Sequence, residues 1–406
     1  MNILYLHDTL HGGAAESLVH LIGTRPPSDN IIVAYGRDGP VSQRLASLRL
    51  KTPPIKLYLR SWLSYRPVGF GACVRFPFAV LFHLYSLFRL FVICRRRRVQ
   101  VIHSNCIHLV EGALLSRLLR IPHVWSVREL LDLDGYQYEI SKRSISRSLS
   151  HSLTTVLCNS SRAEEGLVAL GVAPEKIQVL PNIVRAATGT KDLRSHLKLS
   201  TNTQLVAITG WITPIKRALD FVQIASSLAH LGPDVKFLVI GASTLSEAGY
   251  YDEVLRAIQE SPNRSNILCV GEVENVASYL SSLTVLIHPG SSEAFGRVIA
   301  ESLMGGTPVI GVRGSAVEEI IDHNETGFLV TEGDVQAMAH YCCDLLHDPE
   351  KRKAFGERGA RRARSRFSEE ALAPQYNRLY DNAVVPKSPP SRLNASRSSS
   401  SVTHVA

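Results

Sequence analysis

The stretch from Leu283 to Val330 narrows the possible folds more than any other part of the chain. A short apolar run, Leu283-Thr284-Val285-Leu286-Ile287, reads as a buried strand. A turn of small residues follows, Pro289-Gly290-Ser291-Ser292. A helix is predicted next, from about Gly296 to Met304, with Val298, Ile299 and Leu303 on its apolar stripe. A strand that feeds a helix through such a turn builds an anion site, because the unpaired first amides and the positive end of the dipole face one spot. Two carboxylates frame it, Glu293 before the helix and Glu301 within it. A carboxylate beside a phosphate site suits the hydroxyls of a sugar or ribose. Phosphate on the amides and hydroxyls on the acids together describe a nucleotide sugar. The plainer alternative is a solvated helix with an acidic start.

Apolar runs and helical patterns alternate along both halves of the chain, which predicts an α/β protein with two doubly wound parallel sheets. A length of 406 residues suits two domains. The first half opens on Ile3–Leu6 and a turn carrying Gly12 and Gly13, where the missing side chains let a ligand approach the backbone. Further strands are expected over Ile31–Tyr35, Val99–Ser104, Pro122–Val127, Thr154–Cys158 and Lys176–Leu180. His103, Asn105 and His108 stand at the carboxyl end of one of these, and Arg128-Glu129 at the end of the next. Open parallel sheets bind their ligands at those ends. Arg128 is a candidate to hold a phosphate or an acidic acceptor, or else to pair with Glu129 or Asp132. Asp132-Leu133-Asp134 reads as a loop or helix cap and not as a metal motif.

The second half opens on Gln204–Thr209, followed by Gly210-Trp211 and a turn with Lys216 and Arg217. Later come Val235–Ile240 and Asn266–Val270, the latter running into Gly271-Glu272. These patterns divide the chain into a first domain at 1–185, a linker at 186–203, a second domain at 204–365, a returning helix at 366–382 and a disordered Ser/Pro/Arg tail at 383–406.

The net charge is +9, but Arg95–Arg98 supply +4 and the tail from Ala383 supplies +3. The remainder is only +2, so the basicity is local and does not argue for nucleic-acid binding. Seven cysteines lie scattered without a Cys-x-x-Cys pair or zinc spacing, which fits a reducing, cytoplasmic compartment. No secretory signal is visible. Phe76–Cys94 is nineteen residues long and strongly apolar, but His83 and Arg89 interrupt it, which speaks against a spanning helix. Two readings stay open: a buried helix, or an amphipathic helix on a membrane's inner face, with residues 76–98 meeting anionic lipid.

Glu293, Phe295-Gly296 and Glu301 resemble the signature of the family 4 glycosyltransferases, in which seven residues separate the two acids. The small-residue Thr-Pro-Val strand at Gly305–Val309, the Gly314–Glu318 loop and the close Asn324–Val330 extend the match. More thinly, the resemblance covers residues 1–382. It implies the GT-B architecture, two Rossmann-like domains facing across a cleft, and a retaining transfer from a nucleotide-diphosphate sugar to a glycan, lipid-linked or small-molecule acceptor, with no metal or other cofactor required. By resemblance, Lys216, Glu293 and Arg128 are the catalytic candidates. Gly12, Gly13, Gly210, Lys216, Arg217, Gly271, Glu293, Ala294, Phe295, Gly296, Arg297 and Glu301 would line the donor, and His103, Asn105, Arg128 and Glu129 the acceptor. Two positions depart from the family pattern: Trp211 stands where an Arg is usual, and Arg128 where a His is common. These departures keep a silent sugar-nucleotide binder open beside the transferase, and the shared architecture keeps open an epimerase. No Gly-x-Gly-x-x-Gly follows either first strand, which argues against a dehydrogenase.

Overall fold

The computed structural model describes the chain to residue 384, apart from 49, 60–62, 65–70, 132–136, 139–141, 188 and 244–246. The expected tail and the Asp132-Leu133-Asp134 motif fall outside, or almost wholly outside, the described residues. Fifteen strands are described. The first nine are β1 (Asn2–Thr9), β2 (Asn30–Arg37), β3 (Ile55–Lys56), β4 (Leu63–Ser64), β5 (Val101–Ser104), β6 (His123–Val127), β7 (Gln137–Tyr138), β8 (Thr154–Cys158) and β9 (Ile177–Val179). The remaining six are β10 (Gln204–Thr209), β11 (Val235–Ile240), β12 (Ile267–Gly271), β13 (Val285–Ile287), β14 (Val309–Val312) and β15 (Gly327–Val330).

They form a seven-stranded sheet in the order β3-β2-β1-β5-β6-β8-β9 and a six-stranded sheet in the order β12-β11-β10-β13-β14-β15, parallel throughout. Only β4 and β7 pair antiparallel, as a separate ribbon. The central strands bury both faces, as in the all-buried pattern of β5, β6 and β14. That burial explains their near-continuous Val, Ile and Leu content. Each sheet reverses its winding beside its first strand, between β1 and β5 and between β10 and β13. A crevice opens at the carboxyl ends there, and both crevices belong to the site described below.

The structure refines the sequence expectations at several elements. The helix predicted from Gly296 spans Arg297–Met304, because Gly296 has a left-handed φ of 80° and caps it from outside. The strand expected over Gly305–Val309 begins only at Val309, after a proline that cannot donate to a ladder. Residues 186–203 are not a bare linker: Asp192 caps a short helix, Leu193–His196, and Leu193 is buried in the second domain's core. The apolar segment from Phe76 lies inside one helix of 26 residues, Gly71–Arg96.

The chain passes between the domains twice, side by side. Val184 donates its amide to the Phe367 carbonyl at 2.8 Å. The last helix, Glu369–Val384, then buries Leu372, Tyr376, Leu379 and Tyr380 in the cluster that holds Ile3, Tyr5 and Val101 of the first domain.

Candidate active site

Two turns of the second domain build the anion-facing wall. The first leaves β10 at Gly210 and closes in a single 3-10 turn, Pro214–Lys216, so that Lys216 rises at the strand end. The second leaves β13 at His288. A Cβ on Gly290 would lie 2.4 Å from the Ile215 carbonyl, so only glycine lets the two turns touch. This close approach brings Lys216 Nζ onto Glu293 Oε1 in a short ion pair. His288 Nε2 lies 3.1 Å from the same oxygen. Burial, and then the Lys216 charge, push His288 down to about 3, so its ring is neutral. Burial also draws the Lys216 ammonium down to about 8. The result is a pair of opposite charges, both mostly shielded from solvent, one turn from the free amides that begin the helix at Arg297.

Arg297 and Glu301 face the other domain. Arg297 Nε binds Glu301 Oε1 at 2.7 Å, while its outer nitrogens reach Ser17 Oγ at 3.3 Å, the Ile183 carbonyl at 3.4 Å and His20 Nδ1 at 3.0 Å. Ser17 and His20 lie on the helix Gly12–Gly23 that follows the glycine turn of β1. Gly13 faces the Arg297 side chain, as a Cβ there would lie 3.7 Å from its Cδ. Burial raises the Glu301 carboxyl against the pull of Arg297. Arg297 therefore joins the two domains across the cleft and does not stand in for the family's charge at the Trp211 position. Arg217 does not either, since it is held by Asp220 at 2.7 Å and Glu332 at 3.8 Å. Trp211 instead packs against His11 of the first domain, ring centroids 4.8 Å apart. Phe295 is buried in the core against Phe367, Ala294 packs onto the first domain's core, and Gly271 takes a left-handed φ of 78° at the end of β12.

The first domain's strand ends hold a second group. His103 is not among the residues facing the cleft. It is fully buried, with Nδ1 2.5 Å from the Tyr380 hydroxyl and Nε2 2.8 Å from Ser126 Oγ. Its place within β5 points the ring under the returning helix, which overturns its assignment to the acceptor side. Arg128 is neither free for an anion nor paired through its guanidinium with Glu129. It donates to the Asn105 side chain at 2.9 and 3.2 Å and, in a short bond, to Asn182. That fork ties the ends of β5 and β6 to the loop after β9. Asn105 also donates to the Ala14 carbonyl at 3.0 Å, so it too serves the frame.

Glu129 accepts the Arg128 amide at 2.8 Å, and burial raises its carboxyl. Beside it is a pair that the motif reading did not single out: His108 Nε2 lies 3.0 Å from Asp8 Oδ2, and His108 Nδ1 lies 3.9 Å from Glu129 Oε1. Burial alone would lower His108, but the two carboxylates raise it, and Asp8 is held down at about 2 against its own burial. With His7 and Cys106 these residues form two sets of three potential metal ligands, His7-Asp8-Cys106 and Cys106-His108-Glu129. Strand ends far apart in sequence supply them, so spacing along the chain gives no signal of the cluster. Asp8 and His108 pair as ions there, 3.0 Å apart.

Comparison with known proteins fits this geometry. Residues 12–183 match the "Glycosyl transferase 4-like domain" model and residues 190–362 match "Glycosyl transferases group 1". The chain is 27% identical over 214 residues to N-acetyl-alpha-D-glucosaminyl L-malate synthase of Bacillus anthracis, an alignment spanning 52% of this chain and 55% of that protein. It is 23% identical over 332 residues to the capsular polysaccharide biosynthesis glycosyltransferase CapM of Staphylococcus aureus, spanning 75% and 82%. The solved structure of Anabaena HepE in complex with UDP-glucose superposes with a TM-score of 0.78 at 20% identity, covering 94% of this chain and 100% of that one.

Proposed function

For a chain that belongs to the group 1 glycosyltransferases, of the family 4-like type with GT-B architecture, we propose transfer of a sugar from a nucleotide-diphosphate donor to an acceptor hydroxyl, with retention of anomeric configuration. The observation that carries this reading is the meeting of Lys216, Glu293 and His288 beside the helix start at Arg297. The donor's diphosphate lies on the first amides of that helix and draws Lys216 away from Glu293. Breaking the anomeric C–O bond leaves negative charge on the departing phosphate. Lys216 and the amides neutralise it, each contributing on the order of 3 kcal/mol, as oxyanion-hole donors do. Glu293, released from the lysine, accepts hydroxyls of the transferred sugar. The second oxygen of Glu301 takes a ribose hydroxyl while Arg297 holds the first. The leaving phosphate itself receives the acceptor's proton on the same face of the sugar, so the scheme needs no metal step. The acceptor enters from the first domain, past Glu129 and the Asp8–His108 pair. Six described cysteines are free thiols, in keeping with a cytoplasmic setting, where nucleotide sugars are made.

Thermal unfolding in the presence of a panel of nucleotide sugars tests the donor. A binding donor at a hundred times its Kd stabilises by about 2.7 kcal/mol, a rise in Tm of several degrees. No rise with any nucleotide sugar would remove the reading. Product formed from donor alone would turn it toward an epimerase, and binding without transfer or hydrolysis toward a silent binder, the reading that the Trp211 and Arg128 departures keep open.

A further inference from the structure

Ten large apolar side chains are exposed among the described residues, and five of them stand on one helix. On Gly71–Arg96, the residues Leu81, Phe82, Leu84, Tyr85 and Phe88 are between 53% and 64% exposed. Positions 81, 84, 85 and 88 share one face of a helix, with 82 at its edge. The opposite face is anchored: Leu90 and Cys94 are buried in a core cluster with Leu4 and Ile102, and Ser86 accepts the Tyr58 amide at 3.0 Å. The outward face is therefore a fixed surface and not a frayed end. Tyr58 adds its ring beside Phe82, centroids 6.2 Å apart. The neighbouring helix Glu111–Leu119 adds exposed Leu114 and Leu118, on the stripe that starts where Glu111 meets His83 at 3.3 Å.

The exposed charge beside the stripe is cationic, since Glu111 is buried against His83. Residues 39–110 hold twelve Arg and Lys and no Asp or Glu. Arg89 and Arg95–Arg98 are exposed beside the apolar stripe and at its carboxyl end. No described helix is long and apolar enough to cross a membrane. An apolar stripe with a wholly cationic rim suits the boundary of an anionic bilayer: the rings and leucines enter the acyl region and the arginines meet headgroups. A second copy of this chain would bring these five arginines against five like charges.

We propose that this face seats the first domain flat on an anionic lipid surface and that the acceptor is presented from it. The helix packs through Leu90 and Cys94 on the same sheet whose strand ends carry Glu129 and the Asp8–His108 pair. The proposal rests on the transferase reading only for the identity of the acceptor.

The test is co-sedimentation of the full chain with vesicles of phosphatidylcholine, with and without 30% phosphatidylglycerol, at low salt and at 0.5 M salt. Binding to the anionic vesicles at least tenfold above neutral ones is expected, reduced at high salt. The Leu84→Ser/Phe88→Ser double variant and the replacement of Arg95–Arg98 by Gln should each lose it at least tenfold, while stabilisation by a nucleotide sugar stays unchanged. Equal binding by wild type and both variants, or none to anionic vesicles, overturns the proposal. A lipid-free dimer broken by the same variants overturns it in favour of self-association. Intact nucleotide stabilisation without vesicle binding sinks the membrane inference alone; intact vesicle binding without nucleotide stabilisation sinks the transferase reading alone.

Discussion

The two walls of the cleft are built differently. In the second domain, Glu293, Gly296, Arg297 and Glu301 come from nine consecutive residues, His288 lies just before them, and Lys216 arrives from elsewhere. In the first domain, Asp8, Asn105, His108, Arg128 and Glu129 are gathered from three separate strand ends. A diphosphate is recognised by backbone amides and one cation, which a single strand-turn-helix can supply. An acceptor is recognised by side chains, which the sheet must gather. The second wall therefore leaves a motif in the sequence and the first leaves only scattered polar residues.

The largest expected effect lies on the second wall. Lys216→Ala should lower kcat by 10²- to 10³-fold, the loss seen when one oxyanion donor is removed, with Tm nearly unchanged. Steady-state kinetics beside a melting curve checks it; wild-type turnover would dissolve the distinction between the walls. A smaller effect sharpens it. Because burial holds Lys216 near 8, the charged form that neutralises the leaving phosphate is present below that pH and lost above it. The kcat/KM for donor should fall about tenfold per pH unit above about pH 8. Lys216→Arg should abolish that limb, since a guanidinium does not titrate there. The smallest effect on catalysis belongs to the first wall. His103→Phe should leave the KM for both substrates unchanged and lower stability by about 1–3 kcal/mol, because the Tyr380 and Ser126 hydroxyls lose their buried partner. Chemical denaturation measures it, and a large rise in acceptor KM would restore His103 to the cleft.

The same contrast explains what was legible. Alternating apolar runs disclosed both sheets, because strands buried on two faces are almost uninterrupted hydrophobic sequence. Glu293 and Glu301 stood out because they frame a glycine-rich turn. His103 misled because a polar residue at a strand end is equally suited to face a ligand or a returning helix, and Tyr380, which decides the matter, lies 277 residues away. Arg128 misled in the same way, since its partners Asn105 and Asn182 are joined to it only by the fold. Arg297 looked like a phosphate ligand beside its glycine. Nothing local in the sequence announces that Ser17 and His20 of the other domain claim it.

The final helix has a consequence for biosynthesis. Leu372, Tyr376, Leu379 and Tyr380 fill the first domain's core, yet they are synthesised only after the whole second domain. Domains commonly fold in order of synthesis. Here the half made first must wait, with an oily groove beside β1 and β5, until the second half has been made. The half made second can close earlier. A released chain truncated just after Phe367 should therefore carry a finished second domain and a first domain still open to chaperones and proteases.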